Sequence, residues 1–228
     1  MMVVLTQRAF KFAAITLMRQ RHRFLGTRLP KPNIFYFAYG ANLDPERFEK
    51  YQANAEAVGV ARLDGFSMKF TLPCEYVGKG FASIEKDSTG TVWGYLYKLD
   101  RPTLTFLDAC EYAFLRHYVR TRVSVVTNNG TSIEAWAYKT PFSTPGLVPS
   151  IEYKALILKA AAKHGFPESY RQYIENTPSQ QKFELDPGYS IALPSMRRPL
   201  ERLLRRPYLA HDRISARHYV TNYGSSNI

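Results

Sequence analysis

The run Ile34-Phe35-Tyr36-Phe37-Ala38-Tyr39, broken by Gly40 and followed by Leu43-Asp44-Pro45-Glu46, constrains this chain more than any other stretch. Aromatic and β-branched residues packed into so short a run suit a buried strand. Asp44 is placed to cap a helix, Pro45 suits its first position, and Glu46 puts negative charge in its first turn. The chain therefore runs strand, tight glycine turn, helix. A glycine turn feeding a helix N-terminus presents backbone N–H groups and the positive end of the helix dipole, a place to hold a carboxylate.

The remaining segments fit the same style of fold. Residues 58–70, 82–85 and 92–99 read as further strands, with Gly94 permitting close backbone approach. Residues 102–110 read as a short helix. Residues 118–126 and 132–139 flank Asn128-Asn129-Gly130, a hairpin signal. Residues 150–164 form a helix with Ser150 as N-cap and with Gly165 and Pro167 beyond its end; residues 167–176 predict one more. Strands neighbouring in sequence, a hairpin and helices inserted singly predict an α+β fold, a mixed barrel-like sheet with flanking helices. At 228 residues, 45% hydrophobic and 14% aromatic, the chain can bury one core and still carry extensions.

Charge divides the chain in three. Residues 1–33 hold seven Lys/Arg and no acid, and residues 194–228 hold seven Arg against Glu201 and Asp212. Subtracting these fourteen bases and two acids from the totals of 31 and 19 leaves seventeen of each, so the middle is neutral. The excess charge belongs to the ends, which argues against a basic groove on the domain itself. The expected layout is a basic targeting or docking extension over 1–33, a domain over 34–178, and a basic extension over 179–228. The Arg-rich, acid-free leader has the composition of a mitochondrial targeting segment, with a cytoplasmic protein carrying a docking segment as the alternative. Arg8 and Lys11 interrupt its apolar run, so no spanning helix is expected. The arginines of the C-terminal extension suit either an RNA phosphate backbone or a protein partner. Cys74 and Cys110 lie far apart with no His at ligand spacing, so neither a disulfide framework nor a zinc site is expected, and both read as free thiols.

Three ordered features resemble one family. They are Tyr36-Phe37-Ala38-Tyr39-Gly40-Ala41-Asn42-Leu43; Val92-Trp93-Gly94 with Leu107-Asp108-Ala109-Cys110-Glu111; and Pro149-Ser150-Ile151-Glu152-Tyr153 with Gly165-Phe166-Pro167. Together they span about 145 residues and resemble the γ-glutamylcyclotransferase, or AIG2-like, family. The loop matches that form better than the shorter loop of the glutathione-specific branch. The resemblance implies a barrel-like fold in which Tyr39, Gly40, Ala41, Asn42 and Leu43 grip a γ-glutamyl group. It implies Glu111 as the catalytic carboxylate and Tyr118, Tyr138 and Tyr153 as pocket tyrosines, with no cofactor and no metal. The implied reaction converts γ-glutamyl amino acids or γ-glutamylamines into 5-oxoproline and a free amine.

The chemistry asks for such a group independently. The substrate's α-amine loses a proton and attacks its own γ-amide carbonyl; a carboxylate in hydrogen-bond reach takes that proton and returns it to the departing amine. Because nucleophile and electrophile share one molecule, the main gain comes from fixing the folded conformer.

Two positions depart from the family pattern. Ala41 stands where serine is usual, and Tyr112 stands where a glycine usually follows the catalytic Glu. If that glycine has positive φ, tyrosine there costs about 1 kcal/mol or more, and its ring narrows the pocket. Cys110 and His117 read as structural, since no base is placed to activate the thiol. The departures, with the basic ends, support a second reading: a structural subunit on this fold, recruited into a large mitochondrial assembly such as a ribosome or a respiratory complex.

Overall fold

Strand β1 (Ile34–Ala38) forms where aromatic residues are densest, and its period-2 alternation sends its side chains to two different cores. Phe37 joins a cluster with Leu63, Val92, Leu96, Val125 and Ile157, while Tyr36 and Ala38 join another with Tyr97, Leu99, Leu104 and Leu107. The computed structural model describes residues 2–25, 29, 31–51, 53–74, 76–113 and 116–181, with side chains from residue 13 onward except at 50 and 51. Most of the expected C-terminal extension, including all its arginines, lies outside the described residues.

Five strands close into a barrel in the order β1-β3-β2-β4-β5. The long strands β2 (Ala55–Pro73) and β3 (Gly80–Leu99) pair antiparallel along their length. Strand β1 then pairs antiparallel with β3, and strands β4 (Val119–Thr127) and β5 (Ser132–Lys139) form the expected hairpin. Its turn contains Gly130 at φ 82°, the conformation for which glycine is suited. Closure comes where β1 meets β5 in parallel at Tyr36 and Trp136, and where β2 meets β4 at Ala61–Thr127. The mixed α+β barrel expected from the sequence is the fold observed.

One expectation is corrected. Residues 82–85 and 92–99 are not two strands but parts of β3. The polar residues 87–90 between them read as a break. In the structure the ladder jumps from Phe66–Lys86 to Asp64–Thr91, so these residues sit in a bulge opposite Gly65. Two further register shifts in the same pair help bend long strands into a barrel. Gly94 allows β1 to lie close, since a Cβ there would stand 2.4 Å from the Ala38 carbonyl oxygen and 2.5 Å from the Phe37 ring.

The helices flank this barrel. Helix α2 (Glu46–Tyr51) starts one residue later than expected, with Asp44 accepting from the Glu46 amide. Helix α3 (Arg101–Cys110) is capped by Asp100, whose carboxylate accepts from the Thr103 amide at 2.9 Å. Helix α4 (Ile151–Lys163) is capped by Ser150 through the Tyr153 amide at 3.1 Å, and α5 (Glu168–Asn176) follows after Gly165. Residues Ile157, Ala160, Ala161, Tyr170 and Ile174 of these two helices complete the Phe37 core.

The N-terminal segment is helical over Met2–Leu25, here α1. Ala14, Ile15 and Met18 recur at helical spacing and pack into the cluster that holds Leu104 and Leu107 of α3. One turn on, Arg21 pairs with Asp100 at 2.5 Å, with Asp100 only 2% exposed. Burial alone would raise the Asp100 carboxyl; donors from Thr103, Asn54 and Arg21 outweigh it and hold the group below the usual carboxylate range. Its contribution to stability is therefore full above about pH 4 and is lost as pH falls through that lowered value. No described helix is long and apolar enough to cross a membrane.

Removing Arg21 leaves a buried carboxylate without its cation. Arg21→Ala should cost about 3 kcal/mol and lower Tm by roughly 6–12 °C, read by thermal denaturation. Deleting residues 1–25 should cost at least as much.

Candidate active site

The site begins where β1 ends. Tyr39 is buried and its hydroxyl donates to the Tyr138 carbonyl, fixing the strand end against β5. Gly40 follows, and a Cβ there would approach the Tyr153 hydroxyl to 3.2 Å, so the loop and α4 are packed as closely as a glycine allows. Residues Ala41–Leu43 make one turn of 3-10 helix, with the Leu43 amide donating to the Gly40 carbonyl at 3.0 Å.

This corrects the dipole expectation. The loop enters a three-residue turn, and α2 begins only after Asp44 and Pro45 and lasts six residues. A helix that short contributes little end charge. What the loop brings to Glu111 is the side-chain amide of Asn42.

Glu111 is the C-cap of α3, its amide bonded to the Leu107 carbonyl at 2.8 Å. The side chain of Asn42 joins it to the loop: Nδ2 donates to Glu111 Oε1 at 2.8 Å and lies 3.0 Å from the Tyr36 hydroxyl oxygen. Two segments 69 residues apart in sequence are thus held by one amide group. Tyr112, immediately beyond, has φ 48°. The position does require left-handed backbone, and tyrosine occupies it with strain.

A cavity of about 490 Å³ opens around these groups. Tyr39, Gly40, Ala41 and Asn42 line it together with Glu111. Tyr118, Tyr138 and Tyr153 also line it, as does Tyr112. Leu43 does not; it is 1% exposed, and its carbonyl accepts from the Tyr97 hydroxyl and meets His164 Nε2 at 2.7 Å. Of the expected loop residues, Leu43 is therefore an anchor. Cys74 and Cys110, far apart in sequence, both line the cavity as free thiols, and so does His117. Tyr36, Arg47 and Lys79 line it as well, and the sequence reading missed them. Tyr36 stood inside the recognised motif; Lys79 carried no signal, since only the path of the chain between β2 and β3 brings it there.

The tyrosine hydroxyls are not equivalent. Tyr118 donates to the Ala82 carbonyl at 2.6 Å and Tyr138 donates to Asp108 at 2.8 Å, so their protons are committed. Tyr39 is committed likewise. Tyr36 and Tyr153 instead accept. Tyr36 takes the Asn42 amide, and Tyr153 takes the backbone N–H of Ala82 at 3.3 Å. Neither donates to an acceptor among the described residues. Burial pushes the Tyr153 hydroxyl up to about 12 and raises Tyr36 further, with the Glu111 charge adding to both. Both stay protonated, and both can donate into the cavity. Ala41 lacks a hydroxyl, and it lines the cavity without one.

Two predictions follow from the residues beside Glu111. Tyr112→Ala and Tyr112→Gly both remove the ring, so their difference isolates the backbone: the glycine variant should be the more stable by about 1 kcal/mol, measured by denaturant unfolding. Burial lowers the His117 pKa, so the unfolded chain binds this proton first. Stability should fall as pH drops below about 6.5, and His117→Gln should flatten that part of the stability–pH curve.

A profile of the AIG2-like family matches residues 91–174. The chain is 31% identical over 148 residues to a gamma-glutamylcyclotransferase of Bos taurus, an alignment covering 63% of this chain and 78% of that protein. It is 30% identical over 147 residues to the Homo sapiens protein of the same name, with the same coverage. A solved gamma-glutamyl cyclotransferase structure superposes with a TM-score of 0.60 at 25% identity, covering 71% of this chain and 98% of that one. By its fold, its ordered motifs and this likeness, the chain belongs to the γ-glutamylcyclotransferase family.

Proposed function

We propose that this protein forms 5-oxoproline from γ-glutamyl compounds by intramolecular attack of the α-amine, with Glu111 as the proton carrier. The observation that carries the reading is the Asn42–Glu111 contact at 2.8 Å on the wall of a cavity large enough for a small γ-glutamyl substrate.

The α-ammonium of the bound substrate gives up one proton to become a nucleophile. Its lone pair then attacks the γ-carbonyl carbon, closing the five-membered ring and leaving negative charge on the carbonyl oxygen. Glu111 takes the second proton from the α-nitrogen and delivers it to the departing nitrogen as the C–N bond breaks. The freed amine takes up one further proton, so the reaction neither consumes nor releases acid overall. Asn42 holds the carboxylate in place for both transfers, and positioning is the larger part of the gain in a reaction within one molecule.

The transient oxyanion needs donors that are not already committed. Tyr36 and Tyr153 are those donors in this reading, because each is held as an acceptor and retains its O–H. Desolvated hydroxyls of this kind stabilise developing charge without reorganising. Tyr118 and Tyr138 shape the wall, their protons being spent on Ala82 and Asp108.

Incubation with γ-glutamyl-alanine should release 5-oxoproline and alanine. Glu111→Gln should lower kcat by 10²- to 10⁴-fold, roughly the worth of one general acid–base group. Tyr153→Phe should lower kcat by about 100-fold with little change in KM. No 5-oxoproline from the unaltered protein, or full activity in Glu111→Gln, would sink the reading.

A further inference from the structure

Lys79 stands out among the cavity residues. It is 5% exposed, yet among the described residues its Nζ donates only to neutral oxygens, Oε1 of Gln180 at 2.6 Å and the Val77 carbonyl at 3.3 Å. No carboxylate lies within ion-pair distance of it among the described residues. Arg47, on the same wall, has a fully buried Nε with no hydrogen-bond partner and no anion within ion-pair distance among those residues. Buried charge with only neutral partners is costly. Here the cost falls on Lys79, which borders the space where a ligand enters, while Arg47 is only partly buried.

The two cations stand at different places. Arg47 acts electrostatically on the hydroxyls of Tyr36 and Tyr153, beside Asn42 and Glu111. Lys79 lies on the connection before β3, three residues from Ala82, against which Tyr118 and Tyr153 are bonded. Three extended residues separate the two backbones by about 10 Å. The cavity thus has Glu111 and Arg47 at its catalytic end and Lys79 farther along, with Glu152 as a second carboxylate on the wall that forms no ion pair with Lys79.

We propose that Lys79 selects substrates whose departing amine carries a carboxylate, a role resting on the Glu111 cyclisation reading. A γ-glutamyl amino acid bears one ammonium and two carboxylates. The ammonium faces Glu111, the carboxylate of the γ-glutamyl half faces Arg47, and the carboxylate of the departing half reaches Lys79. A γ-glutamylamine has no second carboxylate and leaves Lys79 without its counter-charge. Charge-assisted hydrogen bonds to a buried cation are strong enough to set such a preference.

The test compares γ-glutamyl-alanine with γ-glutamyl-ethylamide, which lacks only the departing carboxylate, by 5-oxoproline formation. The wild-type protein should prefer the first in kcat/KM. Lys79→Met should lower kcat/KM for γ-glutamyl-alanine by about 10- to 100-fold, the worth of one hydrogen bond to a charged group. It should leave the ethylamide value within about 3-fold, the spread of an ordinary context effect. Lys79→Arg should keep most of the preference. A wild-type ratio near one overturns the proposal without needing any variant. An equal loss on both substrates also overturns it, since Lys79 would then merely fasten Gln180 to the barrel. If the wild-type protein turns over neither substrate, the cyclisation reading fails first and takes this inference with it.

Discussion

Strand β1 closes the barrel, and the site hangs from that closure. Five residues bond antiparallel to β3 on one side and reach β5 in parallel on the other. Without this strand the long β2–β3 pair and the β4–β5 hairpin would be joined, among the described strands, only by the short ladder at Ala61–Thr127 and Arg62–Val126. The same strand delivers Tyr36 into one core, Phe37 into the other, and the loop bearing Asn42 to the cavity. Gly94 lets β1 lie against β3, so a residue with no functional group sets where the loop ends up.

Helix α3 is the second support, tethered at both ends. At its start Asp100 gathers Thr103, Asn54 and Arg21; at its end Glu111 meets Asn42. The N-terminal helix α1, through Met18 and Arg21, therefore packs against the helix that carries the candidate catalytic carboxylate. A short helix held at each end has little freedom to rotate, and a carboxylate at its terminus is placed within the tolerance that proton transfer demands.

Much of this was legible in the residues. The aromatic, β-rich run over residues 34–39, the Asn128-Asn129-Gly130 turn and the Ser150 cap are local signals, and local backbone chemistry decided them. Asp87-Ser88-Thr89-Gly90 misled, because a polar stretch within a strand looks like a loop unless its partner is known; only the opposing Gly65 makes it a bulge. The weak point foreseen at Tyr112 is real in the backbone, with φ at 48°. The dipole expected for the loop did not survive, because where a helix stops is set by what packs on it as much as by its first residues.

Sequence alone determined the family, the strand–turn–helix order and the identity of Glu111 as the candidate carboxylate, since motifs and caps are written in neighbouring residues. Only the tertiary structure decided which tyrosines keep a proton to donate, that Leu43 is an anchor, and that Lys79 and Arg47 share the cavity with Glu111. Hydrogen-bond commitment and charge pairing are properties of atoms brought together across the barrel. No spacing along the chain records them.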